Sequence, residues 1–121
     1  MSEQHVFLYD TLPVEHGQMR GGKGEVAICR MLTADALPPG SPFKMTSVNV
    51  IPPGASIGPH IHEGEAEIYL IISGSGIYSG KDGKSVRVKT GDLTICYSGE
   101  SHGIENDTQE PLRMAGIIAA K

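Results

Sequence analysis

The sequence predicts an all-β domain, a sandwich or barrel of short strands, and three observations carry that reading. Apolar or alternating runs recur at residues 6–9, 25–32, 44–51, 67–73, 85–89, 93–97 and 112–119. Turn-forming clusters separate them: Gly21-Gly22, Leu37-Pro38-Pro39-Gly40, Pro52-Pro53-Gly54, Gly74-Ser75-Gly76, Lys81-Asp82-Gly83 and Thr90-Gly91. No segment sustains a helical apolar period; residues 33–37 offer at most one helical turn. Short strands punctuated by turns at this density are the pattern of an all-β sandwich or barrel.

Taken in order, the N-terminal strands are expected within residues 5–51, beginning with the apolar run 6–9. In residues 25–32, Val26, Ile28, Arg30 and Leu32 share one face, while Ala27, Cys29 and Met31 share the other. His60 and His62 occupy a strand after the Pro52-Pro53-Gly54 turn, and residues 67–73 form the next one. Asp82-Gly83, between Ile77-Tyr78 and Val86–Val88, is a hairpin signal, because a type I′ turn demands positive φ. The closing strand falls within residues 111–121.

Composition sets limits on function. A chain of 121 residues with 16 Gly and 8 Pro reads as a single domain spanning 1–121, with enough apolar content (39%) for a core. A net charge of −4 and a pI near 5.7, with scattered basic residues, argue against nucleic-acid binding. No apolar run reaches the ~18 residues that span a membrane, and Met1-Ser2-Glu3-Gln4-His5 lacks a signal-peptide pattern. A cytoplasmic location is therefore expected. Cys29 and Cys96 lie far apart and read as reduced, buried thiols rather than as a disulfide.

The chemistry concentrates at His60, His62, Glu67 and His102. Histidines at i and i+2 lie on one face of a strand, with Cα atoms roughly 6.5 Å apart, so both imidazoles can reach one ion. Glu67 is an odd number of residues from His62. If the polar stretch Glu63-Gly64-Glu65-Ala66 reverses the chain, Glu67 becomes a cross-strand neighbour of His62, about 5 Å away at Cβ. Glu63 and Glu65 are then expected to face solvent. Convergent imidazole and carboxylate groups point to a transition metal.

These residues closely resemble the cupin superfamily. Its first motif is present as Gly54-x5-His60-x-His62-x4-Glu67-x6-Gly74 (residues 54–74). Its second is present as Gly91-x5-Tyr97-x-Gly99-x2-His102-x3-Asn106 (91–106), with Tyr97 where the family usually has proline. The resemblance implies a single cupin jelly-roll barrel, a double-stranded β-helix, with His60, His62, Glu67 and His102 as metal ligands inside it. It also implies that Tyr97 leaves the ligand set intact while altering the turn before His102. Asn106 is expected to cap a turn rather than to bind metal. His5 and His16 lack partners in the sequence and read as surface residues.

Three imidazoles and one carboxylate constrain the ion. Four protein ligands would close a tetrahedral zinc site, so an open position requires higher coordination, favouring Mn, Fe, Ni or Co, with Zn or Cu as alternatives. Around this ion, three residues are candidates for contact with a small-molecule ligand. Tyr69 shares a face with Glu67 and points into the barrel, where it either hydrogen-bonds a ligand or packs in the core. Arg30, in an apolar row, either binds a substrate carboxylate or pairs with Glu25 or another acid. Glu100 is either a general acid or base at the mouth or a solvated loop residue.

Two classes of function follow. One is a metal-dependent enzyme acting on a small polar molecule such as a carboxylic acid, by oxidation, decarboxylation, lyase or isomerase chemistry. The other is a non-catalytic binding module, a sensor or store. The runs 27–31 and 112–119, apolar on both faces, further predict a homodimer, since a lone barrel needs only its inner face apolar.

Overall fold

In the computed structural model, which describes residues 5–120, ten strands form two antiparallel sheets facing each other. The strands are β1 (Glu15–Gly17), β2 (Val26–Leu32), β3 (Phe43–Ile51), β4 (Ser56–Ile61) and β5 (Glu65–Ser73). They continue with β6 (Ser75–Ser79), β7 (Ser85–Lys89), β8 (Leu93–Cys96), β9 (Ser101–Glu105) and β10 (Leu112–Ala120). One sheet has the order β1-β2-β3-β10-β5-β8, the other β4-β9-β6-β7. This is the expected all-β jelly-roll barrel. Residues 1–4, on which the leader expectation rests, and Lys121, at the end of the predicted last strand, lie outside the described residues. No helix among the described residues is long and apolar enough to cross a membrane.

The interior changes character along its length. At one end Val26, Ile51, Ile71, Leu112, Met114, Val88 and Ile104 are buried together, each large side chain contributing roughly 1.5–3 kcal/mol. Moving along β3 from Ile51, the next inward positions are Asn49 and Ser47, both buried. Moving along β5 from Ile71, the next are Tyr69 and Glu67. Strand β10 lies between these two and puts Gly116 opposite Ser47 on one side and Tyr69 on the other. Apolar residues therefore plug one end of the barrel, and polar ones line the other.

Several sequence expectations require correction. Residues 6–9 form no strand: the segment ends in a 3-10 turn at Tyr9–Thr11, with Val6 and Leu8 largely exposed. The first strand is instead the short β1, bonded to β2. A second 3-10 turn, Ala34–Ala36, falls where one helical turn is expected.

The His-to-Glu connection also differs. Strand β5 begins at Glu65, and β4 and β5 belong to different sheets. Glu67 is therefore not a cross-strand neighbour of His62 but faces it across the barrel interior. The strand flanking His60 is β9, whose His102 pairs with His60. The hairpin β6–β7 does form, but its turn is not type I′. Gly83 alone carries positive φ there (71°), and its N–H donates to the Gly80 carbonyl at 3.0 Å. Asp82 keeps negative φ, as β-carbon residues prefer, and the loop lengthens to accommodate it.

Asn106 is fully buried and ties two loops together. Its amide N–H groups donate to the Ile51 and Glu110 carbonyls at 2.9 and 2.7 Å. Its Oδ1 accepts from the Thr108 N–H and hydroxyl at 2.9 and 2.7 Å, the turn-capping use of an Asn side chain.

Candidate metal centre

Three elements deliver the four polar groups. Strand alternation places His60 inward on β4 between exposed Pro59 and Ile61, and the same alternation buries His62 just past the strand end. His62 is held there because its N–H donates to the Glu100 carbonyl and its carbonyl accepts from the Gly99 N–H. His102 comes from β9 and Glu67 from the opposite sheet. All four ligand atoms lie within 4.8 Å of one another.

The contacts centre on one carboxylate oxygen. Glu67 Oε1 is 2.8 Å from His62 Nε2, 3.1 Å from His102 Nε2 and 3.9 Å from His60 Nε2. The two nitrogens Nε2 of His62 and His102 are themselves 3.2 Å apart. Adjacent donors ~2.1 Å from a common ion stand about 3.0–3.4 Å apart, so this spacing suits a single metal.

Tautomers support the same conclusion. His60 Nδ1–H donates to the Gly58 carbonyl at 2.8 Å, which leaves the Nε2 lone pair facing inward in the neutral ring. His102 Nδ1 meets the Tyr78 hydroxyl at 3.1 Å, and His62 Nδ1 faces the Glu65 carboxylate at 3.8 Å. Each imidazole thus has an outward partner and presents Nε2 to the centre, as ligating histidines commonly do. Three imidazole nitrogens and a carboxylate oxygen converging in a buried site form a donor set that can hold a cation. The donor set fits a divalent transition metal.

Glu65, expected to be solvated, lies instead two residues before Glu67 on β5 and shares its face. It supports His62 from the outside of the cluster.

Electrostatics keep Glu67 ionised. Burial pushes its carboxyl up, but hydrogen bonding and charge interactions with His102, His60 and His62 outweigh this and bring it down to about 2. His102 is pushed below the ordinary imidazole range by burial, against the opposing pull of Glu67. Burial, reinforced by the Glu67 charge, raises the Tyr69 phenol well above its usual value, while the Arg20 charge pulls it partly back. Burial raises the Cys96 thiol to about 11, and Cys29 and Cys96 are both free and buried.

The cluster opens into a cavity of about 200 Å³, lined in part by Arg20, Ser47, Asn49, Tyr69 and Arg30. Tyr69 is buried in the wall and stacks on the His102 ring, with centroids 4.6 Å apart. Arg30 also lines the cavity but is half-exposed, and its guanidinium donates to Glu15 on β1 at 2.9 Å rather than to Glu25. Glu100 does not line the cavity. Its Oε1 accepts from the Tyr97 N–H at 2.9 Å, closing the turn before β9, and its Oε2 lies 3.8 Å from Lys81. Tyr97 itself is exposed on that turn, where Gly99 provides the positive φ.

Three cavity residues escaped the sequence reading. Ser47 and Asn49 are the inward polar positions of the run 44–51, and their alternation with Val48 and Val50 was the available signal. Ser47 Oγ and Asn49 Oδ1 are buried without a hydrogen-bond partner. Arg20 immediately precedes the Gly21-Gly22 turn, and that adjacency was its signal.

Comparison with known proteins places this geometry in a family. The Cupin_2 cupin domain matches residues 47–118, a span that holds all four cluster residues. The chain is similar to the oxalate-binding protein of Thermotoga maritima, at 41% identity over 106 residues, 88% of this chain and 85% of that one. It also matches the crystal structure of a predicted oxalate decarboxylase from Thermotoga maritima, with a TM-score of 0.89 and 37% identity over 97% of this chain and 100% of that one. A protein from Klebsiella pneumoniae with a double-stranded β-helix domain shares the fold, with a TM-score of 0.73 and 24% identity over 98% and 91% of the two chains. Motif spacing, barrel architecture and the matched span agree, and the chain belongs to the cupin family.

Proposed function

We propose that this chain holds a divalent transition metal through His60, His62, Glu67 and His102 and uses it to bind a small carboxylic acid, with oxalate as the first candidate. The single observation that carries this reading is the convergence of four acceptor atoms, three of them from residues that line a cavity. Unpartnered Ser47 Oγ and Asn49 Oδ1 support a polar occupant of that cavity, since buried polar atoms normally find a partner. Similarity to an oxalate-binding protein supports the choice of acid.

The proton inventory separates turnover from binding alone. Decarboxylation of a diacid breaks its C–C bond and needs a proton delivered to the carbon left behind. Tyr69, in the cavity wall and kept protonated by burial, is the residue we assign to that delivery. Calorimetry should show oxalate binding to manganese-loaded protein and none after chelator treatment. Equally tight binding to the stripped protein would refute the reading. If bound oxalate yields formate and CO₂ and Tyr69→Phe abolishes this while preserving binding, the protein is an enzyme. Binding without product in the wild type makes it a binding module.

A homodimer is part of the same proposal, on an observation that shifts the expected surface. The buried Cys29 removes the middle of the outward row on β2. Four exposed apolar side chains adjoin at the other edge of the six-stranded sheet: Leu70 and Ile72 on β5, Leu93 and Ile95 on β8. Leu93 pairs with Leu70, and Ile95 with Ile68, making a contiguous apolar strip that a second copy can cover.

A further inference from the structure

We propose that Arg20 selects the ligand by charge: its guanidinium binds the second carboxylate of a small dicarboxylate whose first carboxylate is held at the metal. The inference rests on the metal-bound acid reading above and names the ligand class, diacids in preference to monoacids.

Arg20 lines the cavity and has no carboxylate partner among the described residues. The neighbouring cavity cation, Arg30, is already answered by Glu15. Arg20 therefore brings an unspent charge to the rim. A divalent ion with neutral imidazoles and ionised Glu67 carries one net positive charge, and Arg20 adds a second. A dianion balances both, whereas a monoanion leaves one uncompensated. A guanidinium suits a carboxylate because its planar donors can engage both oxygens.

The backbone holds this residue in place against its own preference. Gly22 N–H donates to the Met19 carbonyl at 2.9 Å, closing a turn in which Arg20 and Gly21 both take positive φ, 54° and 72°. That is the type I′ pattern, whose first central position favours Asn, Asp or Gly. Among the described residues Arg20 is the one non-glycine with positive φ. Such strain persists where surrounding structure enforces it, often at ligand sites.

The enforcing structure leads directly to the metal cluster. Gly58 N–H donates to the Met19 carbonyl at 3.2 Å, and Met19 bridges to Ile57. Gly22 and Gly58 meet backbone to backbone, where a Cβ on Gly22 would collide with Gly58 N and one on Gly58 with the Arg20 carbonyl. The Gly58 carbonyl in turn accepts from His60 Nδ1. Arg20 is thus registered to a metal-ligand strand through a short rigid path. The cavity of about 200 Å³ equals the space of roughly seven waters, a volume that suits a small acid.

Arg20→Gly tests this cleanly, because glycine keeps the turn, relieves its strain and removes the charge. Arg20→Asn is a second variant that also tolerates positive φ. Calorimetry would use manganese-loaded protein with oxalate and with acetate, after elemental analysis of bound manganese. Oxalate affinity should fall about 10-fold or more in both variants, with acetate changed less than about 3-fold. Manganese content should stay at the wild-type level, and the melting temperature should not drop. The wild-type preference for oxalate should also shrink as salt rises, since Arg20 is exposed. An unchanged oxalate-to-acetate ratio, whether both affinities hold or both fall together, overturns the proposal. If the wild type retains neither manganese nor any of iron, nickel, cobalt, zinc or copper, the metal reading itself fails before ligand is added, and this proposal falls with it.

Discussion

His60 and His102 stand directly opposite each other on the antiparallel pair β4–β9, with ring centroids 4.7 Å apart despite their distance in sequence. The pairing makes one sheet responsible for all three imidazoles, since His62 continues from β4. The other sheet contributes the single carboxylate. Metal binding at this cluster would join the two sheets across the interior, so it should also hold the barrel together.

Glu67 and Glu65 should separate by degree. Glu67→Gln keeps shape but removes the charge at the centre, and should weaken metal binding by more than about 100-fold while the barrel still forms, at some cost in stability. Glu65→Gln removes only the distant partner of His62 Nδ1, and should cost about 10-fold or less, the low end for such supporting groups. Competition against a chelator, with circular dichroism as the folding check, measures both. A larger loss from Glu65→Gln than from Glu67→Gln would show that the assigned register of β5 is wrong.

Acidification should remove metal and stability together. His102 is held below the ordinary imidazole pKa of ~6.5 in the fold, so as pH falls below that value the unfolded chain gains protons that folded His102 resists. Stability therefore decreases with falling pH in this window. Metal affinity decreases too, because ligation needs neutral imidazoles. Glu67 adds nothing here: its stabilisation is present above the unfolded carboxylate value of ~4.3 and is lost only as pH falls through about 2. The manganese-induced rise in melting temperature should shrink between roughly pH 7 and 5. A rise that stays constant across that range excludes histidine ligation.

Association should depend on the β5–β8 strip. Sedimentation at ~10 μM should show a dimer for the wild type, because a stable interface of about 800 Å² per partner persists at that concentration. Leu70→Lys combined with Ile95→Lys should give a folded monomer. A wild-type monomer at that concentration refutes the dimer, and a doubly substituted dimer refutes the surface assigned to it.

Local periodicity was legible in the sequence. The two-residue spacing of His60 and His62 decided that they share a face, because alternation is a property of any strand wherever it pairs. The strands at β2, β3, β7 and β10 were readable for the same reason. The glycine and proline clusters marked where the chain must turn, and the motif spacing identified the cluster residues and the family.

What only the tertiary structure decided was pairing between distant segments. Period and propensity do not say which sheet a strand joins, so the sequence could not show that β4 and β5 part to opposite sheets and that Glu67 meets His62 across the interior. Nor could it show that Arg30 finds Glu15, or that the apolar run 6–9 forms no strand. Arg20 was the least legible of all. Its position depends on a turn conformation it does not prefer, imposed by backbone contact with Gly58 on the adjacent strand β4. Those contacts join residues far apart in the chain, and they exist only once both sheets have closed around the cavity.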